Sequence, residues 1–194
     1  MTELIFSVLV MLGNADNQQI VQEQGSNIIL AILEQADREQ QAAYAETIVE
    51  FLPVNKDLAI EIAEGLHESC REFGVDRKLM LALIYVESTG NPNAISHVGA
   101  IGLTQIMPAT GEQIASELGV EWTGPDMLLD VRTNIRFGTY YMRKLLDRFE
   151  GSQLPAVQSY NWGPTSISRM LRDGHTIPTG YARKVLRTRA EVTL

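Results

Sequence analysis

The sequence Arg77-Lys-Leu-Met-Leu-Ala-Leu-Ile-Tyr-Val-Glu87-Ser88 contains eight consecutive apolar residues and predicts a helix that is buried on every side. Gly74 ends the preceding helix, and Asp76 is the expected N-cap of this one. Glu87 follows the apolar residues directly, at the negative end of the helix dipole and in surroundings poor in water. Both conditions raise the pKa of a carboxyl group, and a general acid that works near neutral pH needs a raised pKa. Glu87 is therefore the candidate catalytic residue, although a lone helix-terminal glutamate is more often solvent-facing or salt-bridged.

Helical patterns continue on both sides of this segment, and no alternating run predicts a strand. Two or three helices are expected within the first 52 residues, the last of them from Asn27 to Leu52, where Pro53 ends it. Further helices are predicted at residues 56–73, 108–118, 131–150, 155–160, 164–172 and 179–187. The fold class is all-α, with a helical N-terminal extension over residues 1–54 and a compact domain over residues 55–194.

Composition narrows the class of protein. Of the 194 residues, 45% are hydrophobic and 21% are charged, which is typical of a globular chain. Cys70 is the single cysteine, so an internal disulfide is excluded, and the three histidines lack ligand spacing, so we expect no metal. The apolar stretch Leu4 to Leu12 is shorter than the roughly 20 residues that cross a bilayer. It also lacks the basic flank of a signal peptide, so we expect an amphipathic or core helix there and no transmembrane segment.

The net charge of −8 is unevenly distributed along the chain. Residues 1–75 carry 13 acidic and 3 basic side chains, whereas residues 76–194 carry 11 acidic and 13 basic ones. An anionic polymer would therefore contact the second half rather than the first. For residues 1–52 a protein partner is the better expectation, and nucleic acid is not expected.

A specific pattern of residues follows Glu87. Its members are Glu87-Ser88, Asn91-Pro92, Ser96, Gly99-Ala100, Gly102-Leu103, Gln105, Met107-Pro108, Thr110, Asn134-Ile135, Gly138, Tyr141, the run Ser159-Tyr160-Asn161-Trp162-Gly163-Pro164, and Tyr181-Ala182-Arg183-Lys184-Val185. In order and spacing this pattern resembles the soluble-lytic-transglycosylase (SLT) type of lysozyme-like domain across roughly residues 60–187. Departures from the family pattern lie at Thr104, Gln158 and Trp162 and in the segment before Tyr181, and they affect the shape of the substrate subsites.

The resemblance implies a lyase that cuts bacterial peptidoglycan between MurNAc and GlcNAc. Glu87 would be the sole general acid and base, the product would carry a 1,6-anhydroMurNAc end, and no cofactor would be needed. The resemblance also implies a set of substrate-binding residues, which are Ser96, Gln105, Met107, Tyr160, Asn161 and Tyr181. Without the resemblance, Gln105 could equally be a capping residue, Met107 and Tyr160 core residues, and Ser96 an ordinary loop serine.

Two alternatives stay open at this point. A muramidase on the same fold would use water in place of the C6 hydroxyl, and a peptidoglycan-binding structural or virion protein would keep the fold without turnover. Either way the chain is expected to act on the cell wall in the periplasm. Because no signal peptide is recognisable, a phage lysin, a phage virion component or a product of specialised export is expected.

Overall fold

A computed structural model describes the backbone of residues 15–193 and the side chains of residues 24–193. The helices in this part of the chain are α1 (Ala15–Phe51), α2 (Lys56–Phe73), α3 (Arg77–Ser88), α4 (Pro108–Leu118), a 3₁₀ helix (Pro125–Leu129), α5 (Val131–Arg148), α6 (Gln153–Trp162), α7 (Pro164–Arg172) and α8 (Gly180–Glu191). The predicted all-α class is confirmed, since extended pairing within residues 15–193 amounts to isolated bridges in the loop after α3. The predicted helix at Leu4 to Leu12 lies outside the described residues. None of the described helices is both long and apolar enough to cross a membrane.

The chain divides into two compact units, residues 1–40 and residues 41–194. The boundary lies within α1, which begins at Ala15 rather than at the predicted Asn27. In the first unit, large apolar side chains are more than half exposed, and these are Ile28, Ile29, Leu30, Ile32 and Leu33. The apolar stripe expected to be buried from Ile28 onward is therefore open to solvent over this part.

The second unit begins at Gln41 and not at residue 55, where the sequence placed the start of the compact domain. The physical reason is the spacing of Tyr44, Ile48 and Leu52, which are four residues apart. Tyr44 and Ile48 share one face of α1, and Leu52 follows the helix directly, with its N–H bonded to Ile48 O at 2.7 Å. All three side chains are almost completely buried in the main hydrophobic core. The last two turns of α1 are thus part of the core, and Pro53 ends a helix without ending a unit.

Helix α3 lies at the centre of this core. Asp76 caps it, accepting the Lys78 N–H at 3.1 Å, and the six residues from Leu79 to Ile84 are all buried. Helices α2 and α8 pack against α3, and α5 and α6 contribute side chains to the same core. Helices α2 and α5 approach closely at Gly65, where a Cβ would lie only 3.1 Å from Ile135 Cδ1. The fully apolar sequence of α3 is explained by this position, since each of its faces meets another helix.

The long loop between α3 and α4 is fixed to α5 by one buried side chain, Asn134. Its Oδ1 accepts hydrogen bonds from the backbone N–H (2.8 Å) and the hydroxyl (2.7 Å) of Thr104. Its Nδ2 donates to the carbonyls of Ile101 (2.9 Å) and Leu128 (2.7 Å). Gly102 has φ +80°, and a Cβ there would lie 2.1 Å from Asn134 Nδ2, so only glycine fits this approach. The loop therefore has a defined shape, and it runs directly beside the end of α3.

Candidate active site

Glu87 lies in the last turn of α3, at the point where the helix leaves the core. Thr89 ends the helix in the left-handed conformation (φ 54°), and its N–H bonds to Tyr85 O at 3.1 Å. The Ser88 hydroxyl oxygen lies 2.8 Å from the carbonyl oxygen of Leu103 in the following loop, and it accepts the Gly90 N–H at 3.2 Å. The Glu-Ser pair of the sequence pattern is thus the junction of helix and loop, and it sets Glu87 at a fixed edge of both.

The electrostatic setting of Glu87 has opposing parts. Burial raises the pKa of the Glu87 carboxyl above its ordinary range, whereas the hydrogen bond from Tyr181 and then the charge of Lys184 act to lower it. Burial is the largest of the three influences, so the raised pKa expected from the sequence is confirmed. The side chain is half-buried, so one part of it faces the core and another is accessible.

Tyr181 contacts the candidate acid directly, since its hydroxyl donates a hydrogen bond to Glu87 Oε1. It stands in the first turn of α8, and burial together with the negative charge of Glu87 raises the pKa of the Tyr181 hydroxyl well above its ordinary value. The sequence assigned Tyr181 to substrate binding and missed this contact, and it also missed Lys184. The two residues are three apart on one helix and so lie on one face, which is the signal that could have paired them.

Tyr160 in the last turns of α6 lies close to the same carboxyl. Burial raises the pKa of the Tyr160 hydroxyl, and the negative charge of Glu87 raises it further. The hydroxyl donates to Thr104 O at 3.0 Å, and the ring packs edge-on against the ring of Tyr141 with centroids 5.3 Å apart. Tyr160 therefore lines the site beside Glu87 with its hydroxyl already hydrogen-bonded, which agrees with the alternative that it is a core residue.

Asn161 and Trp162 follow Tyr160 at the end of α6 and point outward. Asn161 is exposed, and Trp162 is 51% exposed. Met107 is 40% exposed at the start of α4, where it precedes Pro108. These positions offer an amide and two apolar surfaces to a ligand.

Gln105 and Ser96 serve the loop itself. The Gln105 Nε2 group donates to the carbonyls of Ala94 (3.1 Å) and Gly102 (2.8 Å), and the residue has a positive φ of 53°. The Ser96 hydroxyl oxygen accepts the Ala100 N–H at 3.0 Å and closes a turn. Gln105 Oε1 has no partner among the described residues, so it is the atom of this side chain that can accept a hydrogen bond from a ligand.

Asp130, Asp126 and Glu112 are not among the groups that shift the pKa of Glu87. Asp130 caps α5 by accepting the Thr133 N–H at 2.8 Å, Asp126 stands in the first turn of the 3₁₀ helix, and Glu112 is exposed on α4. Within the described part of the chain, the main charge acting on Glu87 is the cation of Lys184. One carboxyl with a raised pKa can donate a proton to a leaving group and later accept one.

Comparison with known proteins gives a consistent picture. The model of the family described as "Transglycosylase SLT domain" matches residues 66–177, which is more than half of the chain. The soluble lytic murein transglycosylase of Salmonella typhimurium is 34% identical over 98 residues, covering 50% of this chain and 15% of that protein. The membrane-bound lytic murein transglycosylase C of Sodalis glossinidius is 29% identical over 114 residues, covering 54% of this chain and 32% of that protein. This chain therefore spans less than a third of the length of these curated relatives.

Solved structures with the same arrangement of helices include the 70 kDa soluble lytic transglycosylase of Escherichia coli, with a TM-score of 0.60 and 26% sequence identity. The similarity covers 66% of this chain and 23% of that one. The lytic transglycosylase Slt of Pseudomonas aeruginosa, solved as an inactive mutant, has a TM-score of 0.55 at 26% identity over the same share of this chain. The lysozyme-like fold expected from the sequence is confirmed by these similarities.

Proposed function

Because the chain belongs to the transglycosylase SLT domain family, we propose that it is a peptidoglycan lytic transglycosylase with Glu87 as its sole general acid and base. Its substrate is the β-1,4 bond between MurNAc and GlcNAc. The observation that supports this most directly is a single half-buried carboxyl with a raised pKa, standing at the end of the buried helix α3. Its site of action is the bacterial cell wall, as the names of the murein-cutting relatives suggest.

The reaction begins with Glu87 protonated. It donates its proton to the glycosidic oxygen, the bond from that oxygen to C1 of MurNAc breaks, and positive charge develops at C1. The N-acetyl group of the substrate stabilises this centre, with Tyr160 and Asn161 beside it. Glu87, now a carboxylate, takes the proton of the MurNAc C6 hydroxyl as that oxygen bonds to C1, so the 1,6-anhydro ring forms and Glu87 ends protonated again.

The neighbours of Glu87 suit both halves of this cycle. Burial raises the pKa of Glu87 and keeps it protonated for the first step. The hydroxyl of Tyr181 and the cation of Lys184 favour the carboxylate that exists between the two steps. Glu87 must lose and regain a proton in each turnover, so neither its protonated form nor its carboxylate form should be strongly favoured. The opposing effects of burial and of Tyr181 and Lys184 meet this requirement.

The other proposed contacts follow from which atoms are free. Gln105 Oε1 accepts from an amide or hydroxyl of the glycan, and Met107 and Asn161 present an apolar wall and an amide. Ser96 contributes mainly by shaping the loop, since its oxygen is bonded to the Ala100 N–H. The protein partner predicted for residues 1–52 stays a proposal, and the exposed apolar side chains of residues 28–33 are consistent with it.

Mass spectrometry of the soluble products released from purified sacculi tests this proposal. We expect 1,6-anhydroMurNAc ends, whereas reducing ends would identify a hydrolase, and binding to sacculi without release would identify a non-catalytic protein. Glu87→Gln keeps the size of the side chain but cannot deliver a proton, so it should lower the rate by about a thousandfold. Glu112→Gln is the matched control, because that carboxylate is exposed on α4 and should be neutral to the rate. A Glu87→Gln variant that retains more than a few per cent of the activity would remove Glu87 from the acid and base roles.

A further inference from the structure

A cavity lies next to Tyr141, between α4, α5 and the start of α7. It has a volume of about 510 Å³, and we call it the Tyr141 pocket. It is lined by Thr110 and Gln113 of α4, by Tyr141, Lys144 and Arg148 of α5, and by Pro164 at the start of α7. Its size falls within the range of about 300 to 1,000 Å³ that is usual for small-ligand sites. None of these residues belongs to the set that the sequence assigned to the substrate.

The pocket adjoins the candidate active site at Tyr141. The Tyr141 ring packs against the Tyr160 ring at 5.3 Å, so one aromatic pair separates the pocket from the wall beside Glu87. Thr110 stands three residues after Met107, and Pro164 stands two residues after Trp162. The pocket lining is therefore close along the chain to Met107 and Trp162, two exposed apolar side chains of the candidate active site.

The charge of the pocket is carried by Arg148. Lys144 is paired with Glu117 at 2.7 Å, and Asp147, which also lines the pocket, is paired with Arg143. Arg148 uses its Nε to bond Ser168 Oγ at 2.9 Å, and its guanidinium has no carboxylate partner among the described residues. The unneutralised charge at this pocket is therefore positive.

The hydroxyl of Tyr141 is the second feature that suits an anion. Tyr141 and Arg148 both line the pocket, seven residues apart on α5. Burial raises the pKa of the Tyr141 hydroxyl, and the positive charge of Arg148 opposes that rise. The hydroxyl has no hydrogen-bond partner among the described residues, and neither does the hydroxyl of Thr110 at the opposite side of the pocket. An Arg guanidinium beside a free phenol O–H is a donor set that fits a carboxylate.

We propose that the Tyr141 pocket binds a carboxylate on the lactyl substituent of a MurNAc residue, with Arg148 and Tyr141 as donors. This rests on the proposed function, since MurNAc is the sugar cut at Glu87. Two sources supply the same chemistry: the free lactyl carboxylate of a strand without peptide, and the carboxylates of a stem peptide that extends it. The pocket thus selects muramyl strands over glycans made of GlcNAc alone.

The experiment measures binding by calorimetry on the full chain carrying Glu87→Gln, so that ligands are not consumed. Three ligands are compared: a GlcNAc-MurNAc tetrasaccharide with stem peptides, the same tetrasaccharide without peptides, and chitotetraose, which has no carboxylate. Arg148→Gln and Tyr141→Phe are added to the parent, and Arg172→Gln is the matched control. Arg172 has the same charge, but it lies outside the pocket and is paired only with Asp173.

We expect Arg148→Gln to weaken binding of the carboxylate ligands by about tenfold and Tyr141→Phe by about threefold. Chitotetraose should bind each variant as it binds the parent. A loss confined to the peptide-bearing ligand identifies the stem carboxylates, and a loss confined to the peptide-free ligand identifies the lactyl carboxylate. A loss with both muramyl ligands shows that the pocket accepts a carboxylate from either source.

Three results would overturn the assignment of this pocket: an equal loss for chitotetraose, an equal loss in Arg172→Gln, or no loss in either pocket variant. A parent protein that binds none of the ligands would overturn the pocket and the proposed function together. Wild-type protein that binds the muramyl ligands but releases no anhydro products from sacculi would refute the proposed function alone, because the binding comparison needs no turnover.

Discussion

Replacing Asn134 with alanine should cost far more stability than one polar side chain usually contributes. The side chain is 1% exposed and makes four hydrogen bonds: two from Thr104, one to Ile101 and one to Leu128. At roughly 1 kcal/mol net for each bond, the loss amounts to about 4 kcal/mol. The Thr104 N–H would also be left buried without an acceptor. Since domains are typically stable by only about 5–15 kcal/mol, this one substitution should remove a large share of the total.

Urea denaturation followed by tryptophan fluorescence measures this loss. Trp122 packs into the smaller core cluster beneath the loop, within 3.0 Å of where a Cβ at Gly111 would lie, so it reports on this region. Thr139→Val is the matched control on the same helix, because it removes only the bond from Thr139 to Ile135 O and the side-chain hydrogen bond with Cys70, and should cost about 1–2 kcal/mol. A loss for Asn134→Ala below about 2 kcal/mol, or no larger than that of the control, would refute the role given to the Asn134 hydrogen bonds.

Three further outcomes are expected. Burial raises the pKa of Glu87, and the protonated form is lost as pH rises through that raised pKa. The rate of product release should therefore fall on the alkaline side, and a rate that is constant from mildly acidic to alkaline pH would contradict this. Tyr181→Phe removes a hydrogen bond that favours the carboxylate form of Glu87, so the alkaline fall in rate should move to higher pH and the maximal rate should drop roughly tenfold. An unchanged pH profile would show that this contact does not affect the pKa of Glu87. A fragment that begins at Gln41 should fold cooperatively and cut sacculi. One that begins at Asn55 lacks four buried side chains, of which Tyr44, Ile48 and Leu52 are worth about 2 kcal/mol each, and should melt at much lower temperature. Equal melting temperatures for the two fragments would restore the boundary predicted from the sequence.

The helices of the second unit could be predicted because local signals mark their ends. Asp76 and Asp130 accept N–H groups as N-caps, and Gly74 and Gly119 take the left-handed conformation after α2 and α4. Each signal acts within a few residues of its own position in the chain, so no tertiary information is needed to recognise it. The predicted bounds of α2, α3, α4 and α7 agree with the structure for this reason.

The domain boundary depends on contacts that no local signal carries. The stripes Ile28 to Leu33 and Tyr44 to Leu52 are both apolar, yet the first is largely exposed and the second is buried. Periodicity shows that a helix has an apolar face but not which part of that face finds a partner. Pro53 predicts the end of a helix, and the end of a helix need not be the end of a compact unit.

The candidate site shows the same division between local and tertiary information. The position of Glu87 after an apolar helix made it a candidate, and the family resemblance selected it and named its neighbours Tyr160 and Tyr181. The hydrogen bond between Tyr181 and Glu87 joins residues 94 apart in sequence, and its existence depends on how α8 packs against α3. The internal bonds of Gln105 were likewise hidden, because they depend on the folded path of the loop.

The loop after α3 is held in shape by its own backbone bonds, by the side chains of Ser96 and Gln105, and by the Asn134 amide of another helix. Its outward side chains, among them Ile95 and Val98, are more than 60% exposed and take no part in that framework. Such a loop can exchange these outward residues without changing its path, because their side chains are not among those that hold the loop. New glycan preferences could therefore arise by substitution at these positions at little cost to folding. Asn134 and Gly102, by contrast, fit against each other so closely that a side chain at position 102 would collide with Asn134. Substitutions are therefore tolerated on the surface of the loop and excluded in the layer directly below it.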